Sequence, residues 1–147
     1  MKNGFLLLLS YVVLVGFACG TKYRNVISSD ERLMINNNFY KQAESDSYSI
    51  DDVKLTDNTL SVTITANSCN DASWEVKLLD SDRVAESAPP QRYLKLYFKL
   101  QESGDEPCDK DKVSRTYSFN ISSLKVKGYK HLRLNLQGYK EAIDYKY

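Results

Sequence analysis

Thr59-Leu60-Ser61-Val62-Thr63-Ile64-Thr65-Ala66-Asn67 alternates without a break between apolar and polar side chains. Successive side chains of an extended strand point to opposite faces, so Leu60, Val62, Ile64 and Ala66 line one face. Ser61, Thr63 and Thr65 line the other, where β-branched threonines suit an exposed pleated surface. A helix would scatter these apolar residues around its circumference. The segment is therefore a half-buried strand, and it sets the period against which the rest of the chain is read.

The same period recurs on both sides. Upstream, Ile50 to Leu55 reads as a strand. Downstream, Trp74, Val76 and Leu78 face inward, with Glu75 and Lys77 outward. Leu94, Leu96, Phe98 and Leu100 then oppose Tyr93, Lys95, Tyr97 and Lys99, and Val113, Tyr117, Phe119 and Ile121 oppose Ser114, Thr116, Ser118 and Asn120. Arg115 is the one mismatch in that inner row. Leu132, Leu134 and Leu136 alternate with His131, Arg133, Asn135 and Gln137, and Ile143, Tyr145 and Tyr147 form a last edge.

Seven strands without a convincing helix predict an all-β domain over residues 48–147. One antiparallel sheet cannot cover its own apolar face, so the inner rows must meet a second sheet about 10 Å away. The expectation is a seven-stranded antiparallel immunoglobulin-like β-sandwich, with a small β-barrel as the alternative. The stretch from Ser122 to Tyr129 resembles the crossover between sheets in immunoglobulin-like folds, with Leu124 as a plug and Gly128 at the turn. Tyr129 is read there either as a corner hydrogen-bond donor or as an ordinary strand-end tyrosine.

Ahead of this domain the composition changes twice. Residues 1–18 combine a basic start at Lys2, an apolar core from Phe5 to Ala18, and small residues at Gly16 and Ala18, the pattern of an export signal. That core makes about 21 Å of helix, short of the roughly 30 Å of a bilayer's hydrocarbon. Cleavage after Ala18 exposes Cys19, and lipid added there makes the chain a lipoprotein; cleavage after Ala18 or Gly20 by ordinary signal peptidase makes it a secreted one. Lipidation explains why Cys19 stands outside the pair formed by the other two cysteines. Residues 19–47 are polar and read as the lipidated N-terminus and a tether. Leu33-Met34-Ile35 and Phe39-Tyr40 interrupt the tether as a candidate extra edge strand or helical turn.

The chain holds 20 basic and 19 acidic residues, and loss of Lys2 with the signal balances them. No basic stripe marks a nucleic-acid partner. Cys69 follows a strand and Cys108 sits in the loop Glu102 to Asp109; in an exported chain a disulfide closing their loop of about 40 residues contributes roughly 4 kcal/mol. A reactive thiol at Cys108 is disfavoured by Glu106 and Asp109, and a metal site needs more soft ligands than two cysteines and one histidine. The acidic residues Asp105, Glu106, Asp109 and Asp111 lack the regular spacing of a calcium loop, and Lys110 and Lys112 offset their charge.

Several of these residues carry a resemblance to a known family. Thr65-Ala66-Asn67-Ser68-Cys69-Asn70, the Trp74 strand, Gly104-Asp105-Glu106-Pro107-Cys108, and Tyr117-Ser118-Phe119-Asn120-Ile121-Ser122-Ser123-Leu124 resemble the C-terminal domain of NigD-like lipoproteins of Bacteroidetes. The resemblance covers about residues 48 to 147. It implies a β-sandwich, a disulfide between Cys69 and Cys108, and an outer-membrane lipoprotein, and it implies no chemistry. Gly20-Thr21-Lys22-Tyr23-Arg24 lacks the acidic cluster of surface-exported lipoproteins, which favours a periplasm-facing position.

No catalytic residues, metal ligands or cofactors are assigned. His131, the single histidine, falls on a polar strand face, and no nucleophile elbow accompanies it. The expected function is non-enzymatic binding, with Tyr93, Tyr97, Lys95 and Lys99 as the candidate face, because amphipathic tyrosines are common contact residues. Protein recognition of the immunity or inhibitor type is the leading reading; glycan capture or a structural role in an envelope assembly are the alternatives.

Overall fold

The computed structural model describes residues 27–28, 32–69, 72–101 and 110–147. Residues 1–18, read as an export signal, and Cys19 and Cys108 lie outside these residues. Strands β1 (Ile27–Ser28), β2 (Leu33–Ile35), β3 (Ser49–Thr56), β4 (Thr59–Ser68), β5 (Ser73–Ala85), β6 (Gln91–Gln101), β7 (Asp111–Asn120), β8 (His131–Leu136) and β9 (Ile143–Lys146) are accompanied, among the described residues, by one short helix, α1 (Asn37–Gln42), and a 3₁₀ turn at Ser122–Leu124. They form two sheets, ordered β1-β7-β4-β3 and β2-β5-β6-β8-β9. The inner rows meet between the sheets: Leu60, Val62, Ile64, Leu78, Leu94, Phe98, Phe119, Leu132 and Tyr145 are all fully or almost fully buried.

All seven strands read from the alternation are present, in two separate sheets rather than a barrel. The all-antiparallel, immunoglobulin-like arrangement needs correction. β3-β4, β4-β7, β5-β6 and β8-β9 are antiparallel, whereas β6-β8, β1-β7 and β2-β5 are parallel. In the immunoglobulin order the strand after the crossover lies beside the first strand of the second sheet. Here that strand, β8, lies beside β6, pairing only Gln91 to Leu94 with Arg133 to Leu136. The crossover delivers β8 to the start of β6, where the Pro90 carbonyl accepts from Arg133 N–H at 2.9 Å, so the two strands run the same way.

The crossover itself is as expected. Leu124 is fully buried and Gly128 has φ +89°, a left-handed turn that glycine adopts without strain. The corner tyrosine is Tyr147 rather than Tyr129. Tyr147 Oη accepts from Val126 N–H at 2.8 Å and donates to the Val126 carbonyl at 3.3 Å, while Tyr129 stands exposed. A second tie joins the sheets at the β3-β4 turn, where Tyr145 donates to Asn58 Oδ1 at 2.5 Å and Ile121 N–H to the Asn58 carbonyl at 2.8 Å.

The mismatch at Arg115 resolves at the rim of the core. Its guanidinium lies 4.4 Å above the Trp74 ring and donates to the Ala72 carbonyl at 3.0 Å. Trp74 meets Phe98 edge to face at 5.1 Å and donates from Nε1 to Ser68 Oγ at 3.1 Å. Cys69, next to this cluster, is buried.

The folded unit reaches back beyond Tyr48. Leu33–Ile35 forms the edge strand β2 along Leu78 to Asp80, and Asn36 caps α1, its Oδ1 accepting from Phe39 N–H at 2.9 Å. The apolar cluster in the polar leader thus makes both a strand and a helix: the strand is the edge of the five-stranded sheet, and the helix lies against β5.

Candidate binding groove

The row Tyr93, Lys95, Tyr97 and Lys99 does project outward from β6, but the chain's own leader covers three of its four members. Tyr97 packs on Phe39 of α1 with ring centroids 5.6 Å apart, and Lys77 lies 5.8 Å over the same ring. Lys95 Nζ donates to the Ala43 carbonyl at 2.5 Å and to that of Tyr40 at 3.4 Å, placing a cation at the carbonyl-rich end of α1. Lys99 pairs with Asp46 at 2.9 Å. Tyr93 alone stays open, 43% exposed.

Ser45 to Tyr48 continue this cover as a strap along the part of the β6 edge that β8 leaves free. Asp46 N–H donates to the Phe98 carbonyl and Asp46 Oδ2 accepts from Leu100 N–H, both at 2.9 Å. Ser45 Oγ accepts from Phe98 N–H, and the Ser45 and Tyr48 hydroxyls both donate to the Leu96 carbonyl, all at 3.2 Å. The Leu100 N–H and the Lys99 ammonium hold the Asp46 carboxyl below the usual carboxylate range.

Around Tyr93 the strand opposite is broken. β5 follows β6 in register to Asp80, then inserts extra residues before resuming at Val84 opposite Arg92. Asp82 takes φ +55° in this bulge, a conformation that aspartate tolerates better than most residues, and its N–H turns back onto Asp80 Oδ1 at 2.7 Å. Arg92 reaches the same oxygen at 2.8 Å. Asp80 is fully buried, and burial pushes its carboxyl above the usual range, outweighing the guanidinium that pulls it down. Its Oδ2, Ser81 Oγ and Arg92 Nε have no hydrogen-bond partner among the described residues.

Between the bulge and α1 lies a groove of about 400 Å³ lined by Asn37, Tyr40, Lys41, Ser81, Arg83, Val84, Ala85 and Tyr93. Burial, then Asp80 and Tyr93, push the Tyr40 phenol above its usual range, which keeps it a neutral hydrogen-bond donor. The exposed large apolar side chains of the described residues are Ile35, Val84, Tyr93 and Tyr129. Two of them, Val84 and Tyr93, line the groove. A larger hollow of about 770 Å³ lies between the strap and Gln137-Gly138, but Tyr48, Lys95 and Asp46 on its walls already hold the strap in place.

Of the other residues considered from the sequence, His131 Nε2 lies 2.9 Å from Asp144 on the outer side of β8-β9. Asp105, Glu106, Asp109 and Cys108 lie outside the described residues. No group of three metal-ligating side chains occurs among those described.

No family model matches the chain, and no curated protein is significantly similar to it. Among solved structures, a NigD-like immunity protein from Bacteroides caccae matches with a TM-score of 0.53 at 11% sequence identity, over 76% of this chain and 56% of that one. A protein of unknown function, DUF1344, from Bacteroides vulgatus matches with a TM-score of 0.50 at 14% identity, over 79% of this chain and 56% of that one. The chain spans little more than half the length of these structures. It shares its fold with a NigD-like protein, the family that the residues around Cys69 and Leu124 resemble.

Proposed function

We propose that this chain is an exported, lipid-anchored, non-enzymatic module of the bacterial envelope that recognises a protein partner, in the manner of an immunity or inhibitor protein. The observation that carries the reading is the groove beside α1: exposed Val84 and Tyr93 share it, on a face where the neighbouring side chains are otherwise occupied. Apolar side chains clustered in a concavity gain by being covered, and aromatic residues in such settings are frequent contributors to protein interfaces. The fold shared with a protein described as an immunity protein supports the same direction. In this reading lipid at Cys19 anchors the chain to the outer membrane, facing the periplasm, and a Cys69–Cys108 disulfide fastens the loop after β6 to the end of β4.

The test is affinity capture from a bacterial envelope extract with the full-length protein and with Val84→Asp. A protein retained by the wild type and reduced at least about tenfold by the charged substitution, as expected for a contact near an interface centre, supports the proposal. Equal capture by both proteins, or capture competed by oligosaccharides, overturns it.

A further inference from the structure

The lining of the groove also restricts what enters it. Its charged lining residues are Lys41 and Arg83, and no carboxylate is among the lining. Asp82, between Ser81 and Arg83, is not part of the lining, and its N–H is turned back to Asp80. The walls at Val84 and Tyr93 are 38% and 43% exposed. Ser81 also lines the groove; it is only 5% exposed and its Oγ has no partner among the described residues. A volume of about 400 Å³ accommodates one or two side chains and not the face of a folded domain.

We infer that the groove receives an acidic segment of the protein partner, with one apolar side chain seated between Val84 and Tyr93 and carboxylates facing Lys41 and Arg83. This rests on the protein-recognition reading above and adds the chemistry of the segment. Charge complementarity carries it: the groove is apolar within and basic at its rim, so neutral and basic segments lose the rim contacts, and basic ones are repelled there.

Fluorescence anisotropy with the full chain and short labelled peptides tests this. Each peptide places Phe or Leu at the centre, flanked by Glu, Gln or Lys. Glu-flanked peptides are expected to bind about tenfold more tightly than Lys-flanked ones at low salt, with the gap closing as salt rises. Lys41→Glu with Arg83→Glu is expected to invert the preference, a gain that misfolding does not produce, and Val84→Asp to remove binding of all peptides. Equal binding of the three peptide classes, an unchanged preference in the double variant, or stronger binding of oleate vesicles than of any peptide overturns the inference. Envelope capture that depends on Val84 but not on Lys41 and Arg83 leaves protein recognition standing and overturns the acidic segment. Peptides that behave as expected without any captured partner support the segment chemistry and count against the envelope-partner reading.

Discussion

The two outward faces of the sandwich obey the same alternation and reach opposite ends. On the β4-β7 sheet the outward residues are short hydroxyls that satisfy one another across the strands: Ser61 with Ser118 at 2.9 Å, and Thr63 with Thr116 at 2.8 Å. On the β5-β6 sheet they are long amphipathic side chains, and there the leader folds over as β2, α1 and the strap. A hydroxyl pair leaves little apolar surface to cover. A row of tyrosines and lysines presents rings and alkyl stems, which the helix and strap cover while carbonyls at the helix end take up the Lys95 ammonium and Asp46 that of Lys99. The composition of a solvent face thus decides whether it remains one.

Three experiments would break or sharpen this contrast. The largest effect is expected at Arg92→Met, which strands the buried Asp80 carboxylate beneath the cover. Breaking a buried pair from one side costs about 3–5 kcal/mol, measured by urea unfolding. Next, Leu79→Ala tests the cover directly. Leu79 is fully buried although it points away from the sheet-sheet core, so a loss of about 2–5 kcal/mol is expected if α1 packs on it. Thr63→Val on the bare face should cost about 1 kcal/mol or less, because only one partly exposed hydrogen bond is lost. Equal costs at the two sites would erase the distinction between the faces.

The smallest effect concerns pH. Asp46 is more acidic in the folded chain than when unfolded, so its share of stability is present above the usual carboxylate range and lost as pH falls through its lowered folded value. Asp144, lowered by its hydrogen bond to His131, acts in the same direction. Asp80 acts oppositely: its folded value is raised, so stability from this group declines as pH rises from the usual carboxylate value through the folded one. Asp46→Asn should therefore make Tm less sensitive to acidification from the usual carboxylate range downward. An unaltered slope would mean that Asp46 does not hold the strap.

The inner rows were readable because a period of two is a property of neighbouring residues alone. The parallel pairing of β8 with β6 was not, since it depends on where a crossover lands and on the strap already occupying the rest of that edge. The groove illustrates both limits. Tyr93 was legible from its place in the β6 row, whereas Tyr40, Lys41, Ser81, Arg83 and Val84 come from a leader read as mostly tether and from a bulge past the apparent end of β5. One signal was present. Leu78-Leu79 breaks the alternation, and two adjacent buried leucines in a strand mean that both of its faces are covered.

The strap also imposes an order of events. Ser45 bonds to Leu96 across 51 positions and Lys95 to Ala43 across 52, so the leader is synthesised first and finds its seat only after β5 and β6 exist. Until then the edge of β6 from Leu96 to Leu100 is an open template for another strand. A chain held with its leader drawn away from the domain would be prone to pair edge to edge with its neighbours, so residues 45–48 cover an edge that would otherwise invite self-association.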